Sequence, residues 1–231
     1  WCARNKEGSF IIHGDLSDSM NNKKAKPLPH FYWKFLCLNN AYNDLIYSQI
    51  KELCDSYFVD GFWFDIYQVH RLCYCENCRE SMTTSGVDMN NPASVEAFNA
   101  SLIKQHCKAI NALIKDKLPQ AEVFFNGTTA LDTGANFRHK MYEYNTIQDL
   151  EDLPTTWGGY DKLPMQAKFF LNAGFPITAM SGKFHTDWGE FGGFKHPHAL
   201  KYEAAAMIAS GANCNFGDQL DPNGVLDSTT Y

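Results

Sequence analysis

The sequence predicts one α/β domain built from parallel strand–helix units. From Asp60 onward, short apolar runs alternate with segments whose apolar residues recur at helical spacing, and this pattern is typical of parallel βα units. The chain has 231 residues, 45% of them hydrophobic, which is enough to bury one sizeable core. No internal repeat or low-complexity tract divides the chain. We therefore interpret residues 1–231 as one domain.

The first half supplies two helices and two strands. An apolar stripe at helical spacing predicts a helix over residues 41–57; it consists of Leu45, Ile46, Ile50 and Leu53. The run YFVDGFWFDIY predicts a buried strand over 57–67. After a Cys-rich loop, helical spacing returns over 92–118, and AEVFFN predicts the next strand at 121–126.

The second half repeats the alternation. Apolar runs predict strands at 144–150, 177–184 and 212–216, with a loop at 152–164 and helices at 165–172 and 199–209. Five strands result, whereas a complete (β/α)₈ TIM barrel needs eight strands and about 250 residues. We therefore expect a TIM barrel that lacks its first two or three βα units in this chain, which would lie before Trp1.

The charge balance speaks against nucleic acid as a partner. The chain carries 26 Asp and Glu against 20 Lys and Arg, for a net charge of -6, and its longest basic run is the short segment 22–26. Phosphate backbones are bound by clustered Lys and Arg. No apolar stretch approaches the roughly 20 residues that span a bilayer, and residues 1–8 lack the features of a secretion signal. We expect neither a nucleic-acid nor a membrane partner.

The cysteine pattern favours a structural zinc site and no organic cofactor. Cys73, Cys75 and Cys78 form a Cys-X-Cys-X-X-Cys run, which places three thiolates near one point, as tetrahedral zinc requires. Cys37 is the best fourth ligand, because it precedes the helix that leads into the 57–67 strand. The alternative is a set of disulfides or buried free thiols, although Cys-X-Cys pairs are awkward to bridge. Cysteines spaced to bind a metal, rather than to form disulfides, favour a reducing compartment. We therefore expect a cytoplasmic protein. We also expect its N-terminus to be truncated in this sequence.

One set of residues resembles the family 42 β-galactosidase barrel. The resemblance rests on Cys37, Asn39, Asn40, Tyr42, Asp65, Cys73, Cys75 and Cys78. In that family four such cysteines bind zinc, and the residue eight positions before the first clustered Cys is the acid/base Glu. Here that position is Asp65, and Phe64-Asp65 stands where the family has Asn-Glu.

Other stretches resemble α-L-fucosidases. The phrase DGFWFD at 60–65 looks like family 29, whose strand ends in Trp-X-Asp with the Asp as nucleophile. Residues 151–160, 184–193 and 211–220 look like the hydrolases grouped with family 151 α-L-fucosidases, and this similarity spans nearly the whole chain. The resemblance implies a retaining exo-glycosidase, an α-L-fucosidase first and a β-galactosidase second. It also implies a homo-oligomer, often a trimer, formed through a domain that would follow Tyr231.

The catalytic candidates are carboxylates that end strands. The carboxyl ends of parallel barrel strands face the active site, so Asp65 is the candidate nucleophile, and a second carboxyl group about 5 to 5.5 Å away would protonate the leaving oxygen. Glu190 and Glu151 compete for that role, since each follows a strand in a Trp- and Gly-rich loop; Glu190 is the first choice. The alternative for Asp65 is a helix cap, and for each Glu a rim residue that only binds hydroxyls.

Further polar and aromatic residues near the strand ends are candidates for binding the sugar. They are Trp63, Asn126, Trp157, His185, Asp187, Trp188 and Asp218. Trp63 or Trp188 would stack on the sugar ring, whereas Asp218 either touches substrate or fixes a loop. A different class of function stays open, namely a non-catalytic barrel that binds carbohydrate or serves in assembly.

Overall fold

The computed structural model describes residues 1–12, 34–67, 72–132, 134–155, 157–190, 193–220, 222–226, 228 and 230. It is a mixed α/β structure, as the alternating apolar patterns predict. Its helices are α1 (Tyr42–Ser56), α2 (Glu76–Thr84), α3 (Pro92–Lys117), the short α4 (Ala135–Arg138), a 3₁₀ turn (Met141–Tyr144), α5 (Gly159–Asn172) and α6 (Pro197–Ala209). Its strands are β1 (Gly61–Phe64), β2 (Glu122–Phe125), β3 (Gln148–Glu151), β4 (Ile177–Gly182) and β5 (Asn213–Gly217).

The described strands form two short parallel sheets. β1 pairs with β2, and β3, β4 and β5 pair in chain order. In register, Phe64 lies opposite Phe125, and Glu151 lies opposite Met180. Because all pairs are parallel and every crossover passes through a helix, the carboxyl ends of the five strands point the same way. A closed barrel is not formed by the described strands, so the truncated TIM barrel stays a prediction.

Isolated hydrogen bonds, rather than a strand ladder, join the two described sheets between β2 and β3. The N–H of Val123 donates to the Thr146 hydroxyl at 2.7 Å, and the N–H of Phe125 donates to the Asn145 amide oxygen at 2.9 Å. The N–H of Thr146 in turn donates to the carbonyl of Val123. These bonds satisfy the free edge of β2, and we call this junction the β2–β3 seam.

The hydrophobic core is divided at the same seam. One cluster packs α1 and α3 on β1 and β2, with Ile110 and Phe125 fully buried. The second packs α5 and α6 on β3, β4 and β5, around Leu150 and Phe170. A third, smaller cluster combines Cys78 and its neighbouring cysteines with residues of α2 and α3. Each sheet is thus covered by its own helices on one face.

Local sequence explains where the long helices begin. Asn91 caps α3 by accepting the N–H of Ala93 at 3.0 Å, and Pro92 occupies the first helical position, where its missing N–H costs nothing. Pro197 begins α6 in the same way. None of the described helices combines the length and the apolar character that crossing a membrane requires.

Several elements differ from the sequence prediction. The strand predicted at 57–67 covers only Gly61–Phe64 and is half-exposed rather than buried, with Trp63 44% exposed. The loop predicted at 152–164 ends earlier, because α5 begins at Gly159 and contains Pro164, which removes one hydrogen bond near the start of the helix. The Cys-rich loop contains the unpredicted helix α2, which carries Cys78.

Candidate active site

One side-chain amide joins two carboxylates at the ends of three consecutive strands. Asp65, Asn126 and Glu151 directly follow or end β1, β2 and β3. The Asn126 Nδ2 donates to Asp65 Oδ1 at 2.9 Å and to Glu151 Oε2 at 2.8 Å. The two carboxylate oxygens are therefore at most 5.7 Å apart, the sum of these two lengths. Retaining glycosidases hold their two carboxyl groups at about 5 to 5.5 Å, so this spacing fits that chemistry.

The backbone is strained immediately after Asp65. Ile66 has a φ of 59°, a left-handed conformation that is an outlier for a β-branched residue and costs on the order of 1 to 3 kcal/mol. The turn brings the N–H of Tyr67 to the carbonyl of Asn126 at 2.8 Å, where an undisturbed parallel register would use the N–H of Ile66. The extra residue is a bulge, and bulges of this kind re-aim side chains next to active sites.

Trp188 holds the second carboxylate from the opposite side. Its indole N–H donates to Glu151 Oε1 at 2.7 Å, and its ring packs edge-on against Phe184. The ring lies over two glycines at the ends of β4 and β5, since a Cβ on Gly182 or Gly217 would come within 2.9 Å or 2.1 Å of it. Both oxygens of Glu151 are thus held by side-chain donors from other strands or loops.

Glu190 lies in a different setting. Its Oε2 accepts the N–H of Thr186 at 2.5 Å, and the Thr186 hydrogen bonds keep the pKa of this exposed carboxyl below its usual range. Asp187 accepts the N–H of Trp188 at 2.8 Å, and the carbonyl of His185 accepts the Thr155 hydroxyl at 2.7 Å. These contacts fold the 185–190 loop onto itself and so position Trp188.

Two of the predicted sugar-binding residues have other partners. Asp218 is buried and forms an ion pair with buried Lys183 at 2.5 Å, which supports its loop-fixing interpretation. Trp157 carries the Lys162 ammonium 4.5 Å above its ring, and Lys162 also donates to the carbonyl of Glu151 at 2.6 Å. Trp157 therefore contacts Lys162, and Lys162 in turn holds the backbone carbonyl of Glu151.

A second layer lies beneath the carboxylates, and it combines the predicted Trp63 with Asp149 and Asn215, which the sequence analysis missed. Asp149 is 4% exposed, and its Oδ2 accepts the Trp63 indole N–H at 3.1 Å and the Asn215 amide N–H at 2.9 Å. Burial raises the pKa of Asp149, and the nearby Glu151 adds to the rise. The signal available in the sequence was a charged residue inside a strand.

Asp152 is a further buried carboxyl group, on the helix-facing side of β3. It is 3% exposed, neither of its oxygens has a hydrogen-bond partner in the part of the chain that the structure describes, and burial raises its pKa to about 6. Lys162 and Lys195 are the nearest cations that act on it. Gly158 must be glycine here, because it has a φ of 87° and a Cβ would lie 1.8 Å from an Asp152 oxygen.

The four predicted zinc ligands lie together. The sulfurs of Cys37, Cys73, Cys75 and Cys78 are all within 4.8 Å of one another, and none is in a disulfide. Cys37 lies 3.5 Å from both Cys75 and Cys78. A tetrahedral ion with Zn–S bonds of about 2.3 Å spaces its sulfurs by about 3.8 Å, so this cluster could hold a metal ion such as zinc.

Neighbouring groups support that interpretation. The Asn39 N–H donates to Cys37 at 3.3 Å and its side chain reaches Cys78 at 3.9 Å. The hydrogen bond from Cys37 lowers the pKa of Cys73 to about 2, while hydrogen bonding to Cys73 and burial raise the pKa of Cys37 to about 12. Crowded thiols cannot all ionise without a cation among them. With four sulfurs the coordination sphere would be closed, as in structural sites.

A cavity of about 280 Å³ lies between Asp65 and the cysteine cluster. Its described lining is mostly apolar and includes Tyr42, Leu102 and Ile103, but it does not include Asn126, Glu151 or Trp188. It is therefore on the α1–α3 side of Asp65, away from the paired carboxylates, and we do not assign the sugar to it.

The comparisons with known proteins agree with a relation to glycoside hydrolases. No family model and no curated protein matches this sequence. Among solved structures, α-L-fucosidase isoenzyme 2 from Paenibacillus thiaminolyticus is similar over 100% of this chain, with 36% identity and a TM-score of 0.83. The chain spans 32% of the length of that protein. The fold thus resembles part of a fucosidase, and the numbered family stays a prediction.

Proposed function

We propose that this chain carries the catalytic centre of a retaining exo-glycosidase, an α-L-fucosidase, on a partial (β/α)₈ barrel. The observation that carries the proposal is the pair Asp65 and Glu151, held by one Asn126 amide at the ends of consecutive parallel strands. Active sites of parallel barrels lie at these strand ends. The similarity to a solved α-L-fucosidase supports fucose as the sugar.

In this proposal Asp65 is the nucleophile. Its free Oδ attacks the anomeric carbon and forms an ester bond to it, while the bond from that carbon to the leaving oxygen breaks. Glu151 gives its proton to the leaving oxygen. In the second step Glu151 takes a proton from water, the resulting hydroxide attacks the anomeric carbon, and the ester bond breaks to restore the Asp65 carboxylate.

Glu151 replaces Glu190 as our choice of acid/base. Glu151 shares a donor with Asp65 and is held by Trp188, whereas Glu190 is bonded to the backbone of its own loop. Glu151 thus lies beside Asp65, where a retaining enzyme needs its second carboxyl group. We interpret Glu190 as a residue that fixes the loop carrying Trp188.

The other side chains position the reactants. The Asn126 amide orients both carboxylates, and Trp63, with 44% of its surface exposed, offers a ring face to the sugar. The cysteine cluster, if it holds zinc, supplies a structural cross-link between the segment before α1 and the 73–78 loop. No catalytic step depends on that metal.

The test compares three carboxyl variants in the natural full-length protein. We expect Asp65→Asn to lower the hydrolysis of nitrophenyl α-L-fucoside by at least about 10³-fold. Glu151→Gln should lower the hydrolysis of unactivated fucosides by a comparable factor. Glu190→Gln should keep its activity within about tenfold of wild type. Nitrophenyl β-D-galactoside is assayed in parallel, and preferential hydrolysis of it would replace fucose by galactose. If Asp65→Asn kept full activity, or the protein bound sugar without hydrolysing it, the proposal would be wrong.

A further inference from the structure

The candidate site is built in two layers, one beneath the other. The upper layer holds Asp65, Asn126 and Glu151. Alternate residues of a strand face the same side, so the residues two positions earlier form a lower layer directly beneath; they are Trp63, Phe124 and Asp149, with Asn215 on β5. The Trp63 and Phe124 rings are in contact, with centroids 5.7 Å apart.

Asp149 ties this lower layer together across both sheets. Its Oδ2 accepts one hydrogen bond from β1, through Trp63, and one from β5, through Asn215. The Trp63–Asp149 bond is the lower-layer counterpart of the Asp65–Asn126–Glu151 bridge, and both span the β2–β3 seam. Among the described residues no strand ladder crosses the seam, so side-chain bonds of this kind help to determine, with the bonds between β2 and residues 145 and 146, how far β1 lies from β3.

Asp149 lowers the stability of the fold compared with an apolar residue at the same position. It is 4% exposed, and among the described residues its Oδ1 has no hydrogen-bond partner. An unpaired buried oxygen costs free energy that an apolar side chain of similar size would not cost. Burial also raises its pKa. A buried carboxyl group that costs stability points to a role in positioning.

We propose that Asp149 is a positioning residue that sets the distance between Asp65 and Glu151 by holding Trp63 across the seam. The inference rests on the proposed function, because it assumes that these two carboxylates are the nucleophile and the acid/base. Loss of the Trp63–Asp149 bond loosens β1 relative to β3, although the β1–β2 ladder and the bonds across the seam remain. Glu151 is then less well placed to meet the leaving oxygen while Asp65 attacks. A displacement of about 1 Å at such a site can cost about 100-fold in rate.

The test uses the dependence of rate on the leaving group. A dinitrophenyl fucoside needs little proton donation, whereas a methoxyphenyl fucoside needs a well-placed acid. We expect Asp149→Ala and Trp63→Phe each to lower kcat/KM for the methoxyphenyl substrate at least about tenfold more than for the dinitrophenyl substrate. The measured quantity is thus the ratio of the two kcat/KM values. Asp149→Asn keeps an acceptor oxygen for Trp63, so its ratio should stay within about threefold of wild type.

A matched control and a double variant complete the experiment. Asp152→Asn changes a buried carboxyl on the other face of the same strand, and we expect its ratio to match wild type. In the double variant Trp63→Phe/Asp149→Ala this ratio should change no more than in the worse single variant. The reason is that both substitutions remove the same Trp63–Asp149 hydrogen bond. Trp63→Phe alone keeps the proposal testable if Asp149→Ala fails to fold.

Three results would overturn the inference: equal losses on both substrates, additive losses in the double variant, or an Asp149→Asn ratio as changed as that of Asp149→Ala. Failure of the proposed function gives a different result. In that case Asp65→Asn keeps its activity, whereas failure of the inference alone leaves Asp65→Asn inactive and the Asp149 variants normal.

Discussion

Adding one methyl group at Gly217 should disable the site from a distance. A Cβ at this position would lie 2.1 Å from Trp188 Cζ3 and 2.3 Å from Cη2, whereas ordinary carbon contacts begin at about 3.5 Å. The indole must therefore move by more than 1 Å. Its N–H lies 2.7 Å from Glu151 Oε1, so that movement is enough to break the hydrogen bond. The φ of Gly217 is not in the left-handed region, so the methyl group causes no backbone strain.

The size of the effect follows from the bond that is lost. The Trp188 hydrogen bond positions Glu151, and a misplacement of about 1 Å at a reacting group can cost about 100-fold in rate. We expect Gly217→Ala to lower kcat on an aryl α-L-fucoside by about 10- to 100-fold. Trp188→Phe removes the same N–H without crowding and should give a similar loss. Thermal unfolding of each variant shows whether it is folded.

Gly193→Ala is the matched comparison. A Cβ at Gly193 would lie 2.2 Å from a carboxylate oxygen of Glu190, so this variant displaces Glu190 as Gly217→Ala displaces Trp188. If Glu151 is the acid/base, Gly217→Ala is the more damaging variant. A folded Gly217→Ala protein with kcat within threefold of wild type, or a larger loss in Gly193→Ala, would refute the reasoning.

Three further predictions concern buried groups. The pKa of Asp152 rises to about 6 on folding, so its burial lowers the free energy of unfolding as pH rises from 4 through 6. In urea unfolding, Asp152→Asn should be more stable than wild type by up to about 3 kcal/mol at pH 7.5 but by little at pH 4. An equal difference at both pH values would contradict this. Cys75→Ser should release bound zinc, measured by mass spectrometry of the metal, and lower Tm by several degrees; an unchanged metal content would rule out the site. Tyr67→Phe leaves His106 Nε2, now 3.0 Å from the hydroxyl, without that partner and should cost about 1 to 3 kcal/mol in unfolding experiments, whereas an unchanged midpoint would mean that the bond contributes nothing.

Local patterns in the sequence predict the positions of the strands and of the cysteine cluster. Each of the five predicted strands overlaps one strand of the structure, because burying a strand against helices requires apolar residues. The spacing of Cys73, Cys75 and Cys78 is a local constraint, and Cys37 joins it as predicted. Asp65, Asn126 and Glu151 were placed at strand ends for the same reason, since parallel strands bring their ends to one edge.

Long-range side-chain geometry could not be predicted from the sequence. Nothing local distinguishes Glu151 from Glu190, because the difference lies in contacts with Asn126 and Trp188, 25 and 37 residues away. Asp149 was missed for a similar reason, as both of its donors lie on other strands. The start of α5 was misplaced because Gly158, Gly159 and Pro164 are poor helix formers, whereas packing of Leu163 and Phe170 on the second core stabilises the helix.

The β2–β3 seam also bears on the dynamics of the protein. Two halves with separate hydrophobic clusters, joined by few side-chain bonds, are expected to open as separate cooperative units in native-state hydrogen exchange. Asp65 belongs to one unit and Glu151 to the other, so every opening of the seam would separate the two carboxylates that we propose as the catalytic pair. Thr146→Val, which removes the acceptor of the Val123 N–H, should speed exchange at that amide. Activity and local opening would then change together, even though Thr146 touches no substrate.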